Sequence, residues 1–356
     1  MTRSPRLGQR LGVVVLTFRA ADVIAECLAS LFASTGVELS VVVVDNDSPD
    51  GSLAAARDWA SGAVPFVRPA NSPLSGIAAA PVPIAFEERA AGDFSAPRAP
   101  LTLIQSGING GFARGINLGL KILQADPGIE LFWILNPDAA PPPEAAAKLA
   151  ECAAQGPFGL IASRLRFYEE PDRIQNDGLR LDRRFGVCHA VSMGQPATTP
   201  YPAAGAVEFP SGASMLASRA MLEQAGLLHE DYFLYYEEAD WGARTGGLPV
   251  RFAAGAEVYH HGGTAIGTGS VHRAPSPLSA YFNYRNRARF VAKFLPRSLP
   301  AMRLHACAKA AQMLLKGHLP QAHAILAGTF DLAPPAAVRA IFPDPAVQAL
   351  AFGKRA

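Results

Sequence analysis

Residues 13–45 read VVVLTFRAADVIAECLASLFASTGVELSVVVVD, and this stretch decides the fold class. It opens with a continuous apolar run, Val13–Phe18, has apolar residues at helical spacing between Asp22 and Ala33, and closes on four valines, Val41–Val44. Continuous apolar strands that alternate with a helix are typical of a parallel sheet covered on both faces. The stretch therefore predicts an α/β fold. Ligands of such sheets bind beyond the carboxyl ends of the strands, so the polar residues after each strand are the first candidates for a site.

The pattern continues outward from this unit. Leu101–Gln105 and Leu131–Leu135 are two further candidate strands, and the glycine-rich segment Asn109–Gly119 between them leads into a helix. Residues Arg68–Pro100 are rich in Ala, Pro and Ser without sustained periodicity, which predicts a surface insertion with a helical turn at Ala85–Ala91. The chain from about residue 280 onward is expected to be helical.

Composition and charge exclude some classes of protein. Of the 356 residues 49% are hydrophobic and 17% are charged, so the chain is neither disordered nor a general nucleic-acid coat. The net charge of +2 conceals an uneven distribution: residues 1–257 sum to −8, residues 258–330 carry +9 with no acidic residue, and the last 26 residues carry +1. We therefore expect an acidic body of one large domain, or two ordinary ones, with a basic carboxyl-terminal part.

Cysteine usage and the amino terminus predict a cytoplasmic protein. The four cysteines are widely separated and form no C-x-x-C pair, which favours reduced thiols and argues against a zinc site: Cys27, Cys152, Cys188 and Cys307. The basic start followed by an apolar run imitates a signal peptide, but the run stops at Arg19 without a cleavage site, so a buried strand is the better interpretation. No 18 consecutive apolar residues occur, and no membrane span is expected.

Two polar segments follow predicted strands. Asp45–Ser52 is rich in turn-forming residues, so it is either a plain strand-to-helix turn or a site where Asp45 accepts hydrogen bonds from a ribose or a base. The glycines of Asn109–Gly119 do not follow the dinucleotide-binding spacing. They permit close approach of a ligand to the backbone, but a simple loop-to-helix connection explains them equally well.

A carboxylate and two histidines form a second set of candidates. Asp138 lies after a strand, where one carboxylate with phosphate oxygens and water can hold Mg²⁺ or Mn²⁺, although most such turn residues are only solvated. His260 and His261 end another strand, and because neighbouring strand residues point to opposite faces, at most one of them lines a cleft. An imidazole ligand would favour Mn²⁺.

Three acidic residues among aromatic ones form the third set. Glu237, Glu238 and Asp240 lie beside Tyr236 and Trp241. They are either an exposed helix start, where the helix dipole favours acids, or carboxylates that raise one another's pKa and so provide a general base.

Seven motifs follow one another over residues 13–263: VVVLTF, DNDSPDGS, NGGFARGIN, LNPDA, SGASM, DYFLYYEEADWGAR and VYHHGG. Taken in this order they resemble the motifs of the family 2 glycosyltransferases. Within that family they are most similar to the rhamnosyltransferase-like branch of bacterial surface polysaccharide synthesis. This resemblance implies a GT-A fold, with a Rossmann-like mixed sheet flanked by helices and a carboxyl-terminal helical extension. We expect the catalytic domain to span residues 1–270, including the insertion at 68–100, and the basic extension to span residues 271–356.

The resemblance also implies residue roles. The nucleotide-sugar would be bound by Thr17, Asp45, Asn109, Gly111, Asn117 and Asp138. The metal, Mn²⁺ or Mg²⁺, would be held by Asp138 and His260. The general base would be Glu238, with Glu237 as the alternative because Glu replaces the family's more usual Asp. The acceptor would be seated by Gly212, Glu237, Asp240 and Trp241.

These roles describe an inverting transferase that moves a sugar, rhamnose being one candidate, from a nucleotide-diphospho-sugar to a glycan or lipid-linked acceptor. A nucleotidyltransferase and a non-catalytic nucleotide-sugar or glycan-binding protein remain as alternatives. The basic, aromatic residues 281–297 are interpreted either as a helix packed on the domain or as a peripheral contact with the inner face of the cytoplasmic membrane. Nucleic acid is not an expected partner.

Overall fold

A mixed sheet of ten strands organises the molecule, whose computed structural model describes residues 10–262 and 274–353. The strands within these ranges are β1 Arg10–Thr17, β2 Glu38–Asp45, β3 Phe86–Ala90, β4 Leu101–Gln105, β5 Leu131–Leu135, β6 Ala139–Ala140, β7 Leu160–Phe167, β8 Ile174–Asn176, β9 Leu179–Asp182, β10 Val187–Ala190, β11 Ser214–Ser218 and β12 Val250–His260. The helices are α1 Ile24–Leu31, α2 Ser52–Ser61, α3 Gly111–Gln124, α4 Ala145–Ala153, α5 Arg219–Ala225, α6 Glu237–Ala243, α7 Pro277–Phe294, α8 Leu299–Leu315, α9 Leu319–Thr329, α10 Ala336–Arg339 and α11 Pro345–Phe352.

The strand order determines where polar side chains meet. The sheet runs β3-β4-β2-β1-β5-β11-β7-β12-β6, with β8 added on β7, while β9 and β10 form a separate hairpin. Strands β3, β4, β2, β1 and β5 are mutually parallel, β11 is antiparallel to β5 and β7, and β12 is parallel to β7. The carboxyl ends of β1, β2, β4, β5 and β12 therefore lie at one edge of the sheet, and the predicted mixed α/β architecture is confirmed.

The apolar strands are buried on both faces, as their continuous pattern predicts. Along β1, Val13 and Val15 pack with Trp133 on one side of the sheet, while Val14 packs with Ile134 on the other, and all five are fully buried. Burial of both faces removes a large apolar area from water and fixes the register of the strands whose ends carry the polar residues.

The insertion contains one element that the sequence analysis predicted wrongly. Residues Phe86–Ala90 form strand β3, not a helical turn, and pair in parallel with β4 from Phe86 opposite Leu101. Glu and Arg favour a helix locally, but the free edge of β4 offers backbone hydrogen bonds, and Glu87 and Arg89 pair at 2.6 Å along the new strand.

Helix α7 packs inward. The apolar face on which a membrane contact of residues 281–297 depends is partly covered: Tyr281 and Val291 are buried, Tyr284, Ala288 and Leu295 are half-buried, and Ala292 is exposed. On another side of the helix, the Phe282 ring stacks on Phe233 with 5.2 Å between centroids. These contacts support the interpretation of this helix as packed on the body. Among the residues that the structure describes, no helix has the length and apolar character to cross a membrane.

Candidate active site

Thr17 and Asp45 meet at the ends of β1 and β2, where the register places them opposite each other. The Thr17 hydroxyl donates to Asp45 Oδ1 at 2.8 Å, and Asp45 Oδ2 accepts from the Ser48 amide and from Gln105 Nε2, both at 3.0 Å. The Asp45 carboxylate, 1% exposed, is thus fixed from three directions at the edge of the sheet. Gln105, at the end of β4, was not among the predicted site residues.

Asn46 clamps the glycine-rich segment to this edge. Its amide donates to Asn109 Oδ1 at 3.0 Å and to the Gly111 carbonyl at 3.2 Å, and it accepts from the Gly110 amide. Gly111 has φ +82°, and a Cβ there would lie 2.3 Å from the Phe233 carbonyl oxygen. A side chain at this position is therefore excluded, which lets α3 begin directly against the loop that precedes α6. Asn46 was missed as a site residue although it follows Asp45 directly.

Asp138 and His260 come together because β6, which follows Asp138, pairs with the end of β12. Asp138 Oδ1 lies 3.2 Å from His260 Nε2, and both side chains are 8% exposed. His260 Nδ1 lies 2.6 Å from Gln175 Oε1, an oxygen that only accepts, so Nδ1 carries the proton. The lone pair of Nε2 then faces Asp138 and the Asn136 amide, the latter at 3.2 Å.

This donor set fits a divalent cation. One carboxylate and one imidazole lone pair, 3.2 Å apart, suit neighbouring ligands of a single ion, and the imidazole favours Mn²⁺ over Mg²⁺. Gln175 fixes the tautomer and the ring orientation that such a ligand needs. No cluster of three acidic, histidine or cysteine ligands occurs within the described residues, so phosphate oxygens or water would have to complete the shell. The short strand that carries Gln175 has no distinctive pattern in the sequence.

The neighbouring His261 points away from this pair. Its Nδ1 lies 2.6 Å from Glu169 Oε1, and its ring stacks on Tyr168 with 3.7 Å between centroids. Of the two imidazole rings, only that of His260 contacts the Asp138 carboxylate.

The backbone before α6 is strained. Phe233, Tyr235 and Tyr236 have φ values of +58°, +69° and +73°, the left-handed region that side chains other than glycine rarely adopt. Such strain persists only where the surrounding structure enforces it, and it clusters at functional sites. Here it immediately precedes Glu237 and Glu238, the first residues of α6.

Asn286 of α7 holds this strained loop. Its side-chain amide, fully buried, donates to three carbonyl oxygens at 2.5, 2.6 and 3.1 Å, those of Tyr232, Leu234 and Tyr235. The carboxyl-terminal helices therefore help to fix the direction in which α6 begins. Sequence analysis missed Asn286, because a single Asn in a basic helix gives no signal of its own.

Glu237 and Glu238 have the electrostatics of functional carboxylates. Glu237 is 5% exposed and Glu238 is half-buried, and one carboxylate oxygen of each is buried without a hydrogen-bond partner among the described residues. Burial, and then the charge of Glu238, raise the pKa of Glu237 well above its usual value, and burial raises the pKa of Glu238. A carboxylate so tuned can take up a proton closer to neutral pH, as a general base must.

Asp240 and Trp241, two predicted acceptor contacts, are buried. Asp240 is fully buried and bonds to Arg244 at 2.5 Å, Lys293 at 2.6 Å and the Tyr232 hydroxyl at 3.0 Å. Trp241 is fully buried in the core, where its indole N–H donates to the Gly226 carbonyl at 2.9 Å. Both side chains therefore support α6, and their contact with an acceptor stays a prediction.

Asn117 and Gly212 differ in their placement. Asn117 donates to the Leu228 carbonyl and to Glu230 and accepts from the Leu228 amide, so its amide tethers α3 to a neighbouring loop and does not join Asp45. Gly212 lies against Phe112 near the start of α3, where a Cβ would come within 3.3 Å of the ring. The structure thus brings six predicted residues together around the sheet edge and the start of α3: Thr17, Asp45, Asn109, Gly111, Asp138 and His260. Glu237 and Glu238 begin the adjoining helix α6.

Comparison with known proteins relates the chain to glycosyltransferases. The family described as "Glycosyl transferase family 2" matches residues 12–80. An N-acetylglucosaminyl-diphospho-decaprenol L-rhamnosyltransferase of Mycobacterium tuberculosis is 26% identical over 302 residues, which cover 78% of this chain and 84% of the relative. The chain is a glycosyltransferase similar to those of family 2. This glycosyltransferase is also 24% identical over 188 residues to a low-salt glycan biosynthesis hexosyltransferase of Haloferax volcanii, covering 52% of this chain and 58% of that one.

Solved structures agree on the fold. A mannosyltransferase from Pyrobaculum calidifontis, in complex with GDP-Man and Mn²⁺, superposes with a TM-score of 0.50 at 17% identity, covering 98% of this chain and 85% of the other. GalNAc-T7 with UDP, GalNAc and Mn²⁺ superposes with a TM-score of 0.53 at 11% identity, covering 87% and 52%. The glycosyltransferase has the GT-A fold, as its motifs predicted.

Proposed function

We propose that this glycosyltransferase transfers a sugar from a nucleotide-diphospho-sugar to a hydroxyl of a glycan or lipid-linked acceptor, with inversion and with Mn²⁺ or Mg²⁺. The observation that supports this most is the meeting of Asp138 Oδ1 and His260 Nε2 at 3.2 Å, at the sheet edge that also carries Thr17 and Asp45. Carboxyl ends of parallel strands are where nucleotides bind in open α/β sheets.

On the donor side, Asp45 is proposed to accept hydrogen bonds from the ribose or base, held in direction by Thr17. Asn109 and Gly111 bring the backbone at the start of α3 close to the nucleotide. A cation held by Asp138 and His260 would supply charge neutralisation at the departing diphosphate.

On the acceptor side, Glu238 is proposed as the general base. It is more accessible than Glu237, and its raised pKa suits proton transfer near neutral pH. As the acceptor oxygen forms its bond to the anomeric carbon, the bond to the nucleoside diphosphate breaks on the opposite side and the proton passes to Glu238. A single displacement of this kind inverts the anomeric configuration and needs no covalent enzyme intermediate. Gly212 and Glu237 are the proposed acceptor contacts.

The identity of the substrates is proposed from the relatives. The mycobacterial protein is named for L-rhamnose and for a diphospho-decaprenol acceptor, so a rhamnosyl donor and a lipid-linked acceptor are the first to test. Such an acceptor would place the enzyme at the inner face of the cytoplasmic membrane.

Two variants test the proposal. Asp138→Ala should abolish the Mn²⁺-dependent part of donor binding measured by calorimetry with dTDP-rhamnose, because the cation loses its carboxylate ligand. Glu238→Gln should reduce turnover by at least about 10²-fold while donor binding persists, because only the base is lost.

Asp93→Ala, on an exposed loop, is the matched control and should change neither quantity. Donor binding by Asp138→Ala that still depends on Mn²⁺ would contradict the metal site, and unchanged turnover of Glu238→Gln would contradict the base.

A further inference from the structure

Helix α8 is apolar on two opposite faces, and only one of them is packed. Met302, Ala306 and Ala310 are buried against the protein. The opposite face, at successive spacings of four, three and four residues, is exposed and apolar; we call it the leucine face, and it consists of Leu304, Ala308, Ala311 and Leu315. Leu304 is 74% exposed and Leu315 is 90% exposed, and Leu319, at the start of α9, adds another side chain that is 65% exposed. Solvated helix faces are normally polar, so this face calls for an explanation.

The borders of the leucine face are basic. Arg303, Lys309 and Lys316 are all exposed on α8 or directly after it. Residues 258–330 contain no acidic residue, and the next acid along the chain, Asp331, faces Arg289 at 3.6 Å. The guanidinium of Arg303 lies 5.7 Å from the ring centroid of Phe330, which is 41% exposed, so an aromatic residue joins the basic border.

We propose that the leucine face, with Leu319 and the basic residues around it, docks the enzyme on an anionic lipid bilayer. A helix that lies in the interface inserts an apolar stripe among the acyl chains and keeps basic residues at the level of the headgroups. Each lysine or arginine close to a negatively charged leaflet adds attraction that salt weakens. The α8 surface has both an exposed apolar stripe and basic residues, whereas α7 packs its large aromatic side chains inside the protein.

A second copy of the chain is a poorer occupant of this surface. In a symmetric dimer the same patch meets itself, which would bring Arg303, Lys309 and Lys316 of one protomer against those of its partner. Like charges placed across an interface disfavour association, whereas anionic headgroups complement them.

One element links α8 to the neighbourhood of the proposed base. On the inner side of α8, the His305 ring stacks on Phe185 of the β9–β10 hairpin with 4.8 Å between centroids. In the same hairpin, Cys188 lies close enough to Glu238 that, after burial, the charge of Glu238 raises the pKa of the Cys188 thiol. The β9–β10 hairpin therefore lies between α8 and Glu238. Docking itself does not rest on the proposed function, because it is measured without donor or acceptor.

The test is co-sedimentation of the full chain with vesicles. An equal mixture of phosphatidylglycerol and phosphatidylcholine should bind the protein, and vesicles of phosphatidylcholine alone should bind it more weakly. The double variant Leu304→Glu/Leu315→Glu should weaken binding to the anionic vesicles by more than about tenfold, since two apolar side chains are lost from the docked face. Lys309→Glu/Lys316→Glu should remove the preference for anionic vesicles.

Val67→Glu is the matched control, because Val67 is 82% exposed and lies far from α8 in the sequence. It should bind vesicles as the unaltered protein does, and all variants should keep the same thermal unfolding midpoint. Docking is refuted if the unaltered protein does not bind anionic vesicles. It is refuted as well if Leu304→Glu/Leu315→Glu binds them as tightly as the Val67→Glu control does. It is also refuted if the unaltered protein is a dimer that this variant dissociates without change in vesicle binding, because the face would then join two copies.

Discussion

The surroundings of Glu237 disfavour the ionised form of its carboxyl group. Its carboxylate is almost fully buried, one of its oxygens lacks a hydrogen-bond partner among the described residues, and Glu238 lies next to it. Burial and the charge of Glu238 raise the pKa of Glu237, so the folded state favours the protonated form more than the unfolded state does. The stability that this provides is complete at low pH and is lost as the pH rises through the raised pKa.

Glu237→Gln should therefore stabilise the protein at neutral pH, raising the thermal unfolding midpoint by a few degrees, because glutamine has the same shape and no charge to bury. The difference should shrink as the pH falls toward the ordinary glutamate pKa of about 4.5, because Glu237 in the folded protein is already protonated there. Calorimetric scans across this range check the prediction, with the exposed Glu223→Gln as a control that should shift nothing. A lower midpoint for Glu237→Gln at neutral pH would show that the charge is stabilising.

Some residues of the candidate site could be predicted from the sequence and others could not. The resemblance brought Asp138 and His260 into one site although 122 positions separate them, and the structure has them 3.2 Å apart. Gln175, which fixes the imidazole, could not be predicted, because its role depends on the pairing of β8 with β7 near the end of β12 rather than on any local pattern. Trp241 and Asp240 lie in the right motif but face inward, since a motif specifies the neighbours of a residue and not the direction of its side chain.

At the scale of elements, the strained loop before α6 depends on α7. Asn286 is the donor to three carbonyl oxygens of that loop, and an amide is the only neutral side chain of its size with two donors to give. Asn286→Ala should cost about 1–3 kcal/mol of unfolding free energy, since the two N–H groups that serve these three carbonyl oxygens are lost. Asn286→Asp should be worse, because a carboxylate donates nothing and repels the carbonyl oxygens.

Both variants should lower kcat more than they raise KM for the donor. Asn286 supports the loop that precedes Glu237 and Glu238, whereas Asp45 lies at the sheet edge, which Asn286 does not contact. Urea unfolding and steady-state kinetics measure the two effects. Asn283→Ala, half-buried on the same helix and without a side-chain hydrogen bond to this loop, is the control. Equal stability of the Ala and Asp variants would contradict the three-carbonyl contact.

Elements differ in how well a local pattern predicts them. The valine strands β1 and β2 were predictable because both faces are buried and the run is continuous. Strand β3 was not, because the residues of Phe86–Ala90 favour a helix and only the open edge of β4 makes them extended. Helix α5 ends at Gly226, whose φ of +71° is a conformation that glycine adopts without strain.

At the scale of the whole molecule, Asp240 joins the sheet-containing body to the carboxyl-terminal helices. It bonds to Arg244 in its own helix and to Lys293 of α7. Burial opposes its ionisation, but the hydrogen bonds from Lys293 and Arg244 outweigh burial and hold the pKa of Asp240 below its usual value. Its contribution to stability is therefore present at neutral pH and is lost as the pH falls through that lowered pKa.

Asp240→Asn should reduce the unfolding free energy at neutral pH by about 3 kcal/mol, because the amide carries no charge and keeps only one of the two oxygens that accept from Arg244 and Lys293. The gap to the unaltered protein should narrow in strong acid. Urea titrations at neutral and acid pH measure it, with Asp172→Asn, whose side chain is fully exposed, as the control. A gap that stays constant on acidification would show that the carboxylate charge contributes nothing.

The charge asymmetry of the sequence anticipated a division of the molecule, but not its form. The sequence left α7 either packed on the body or in contact with a membrane, and the structure has it packed, with Arg285 buried so that the pKa of this arginine is lowered to about 10. A count of charges identifies a segment and cannot tell which of its helices is covered by the others. Only the packing of α7 against the strained loop decides that.

That packing bears on how the protein can change over evolution. Because Asn286 and Lys293 reach from α7 into the loop and helix that carry Glu237 and Glu238, residues 271–356 are not an accessory that relatives can exchange freely. A new carboxyl-terminal extension would have to bring an equivalent amide and an equivalent cation with it. We therefore expect α7 and the residues that begin α6 to vary together among relatives.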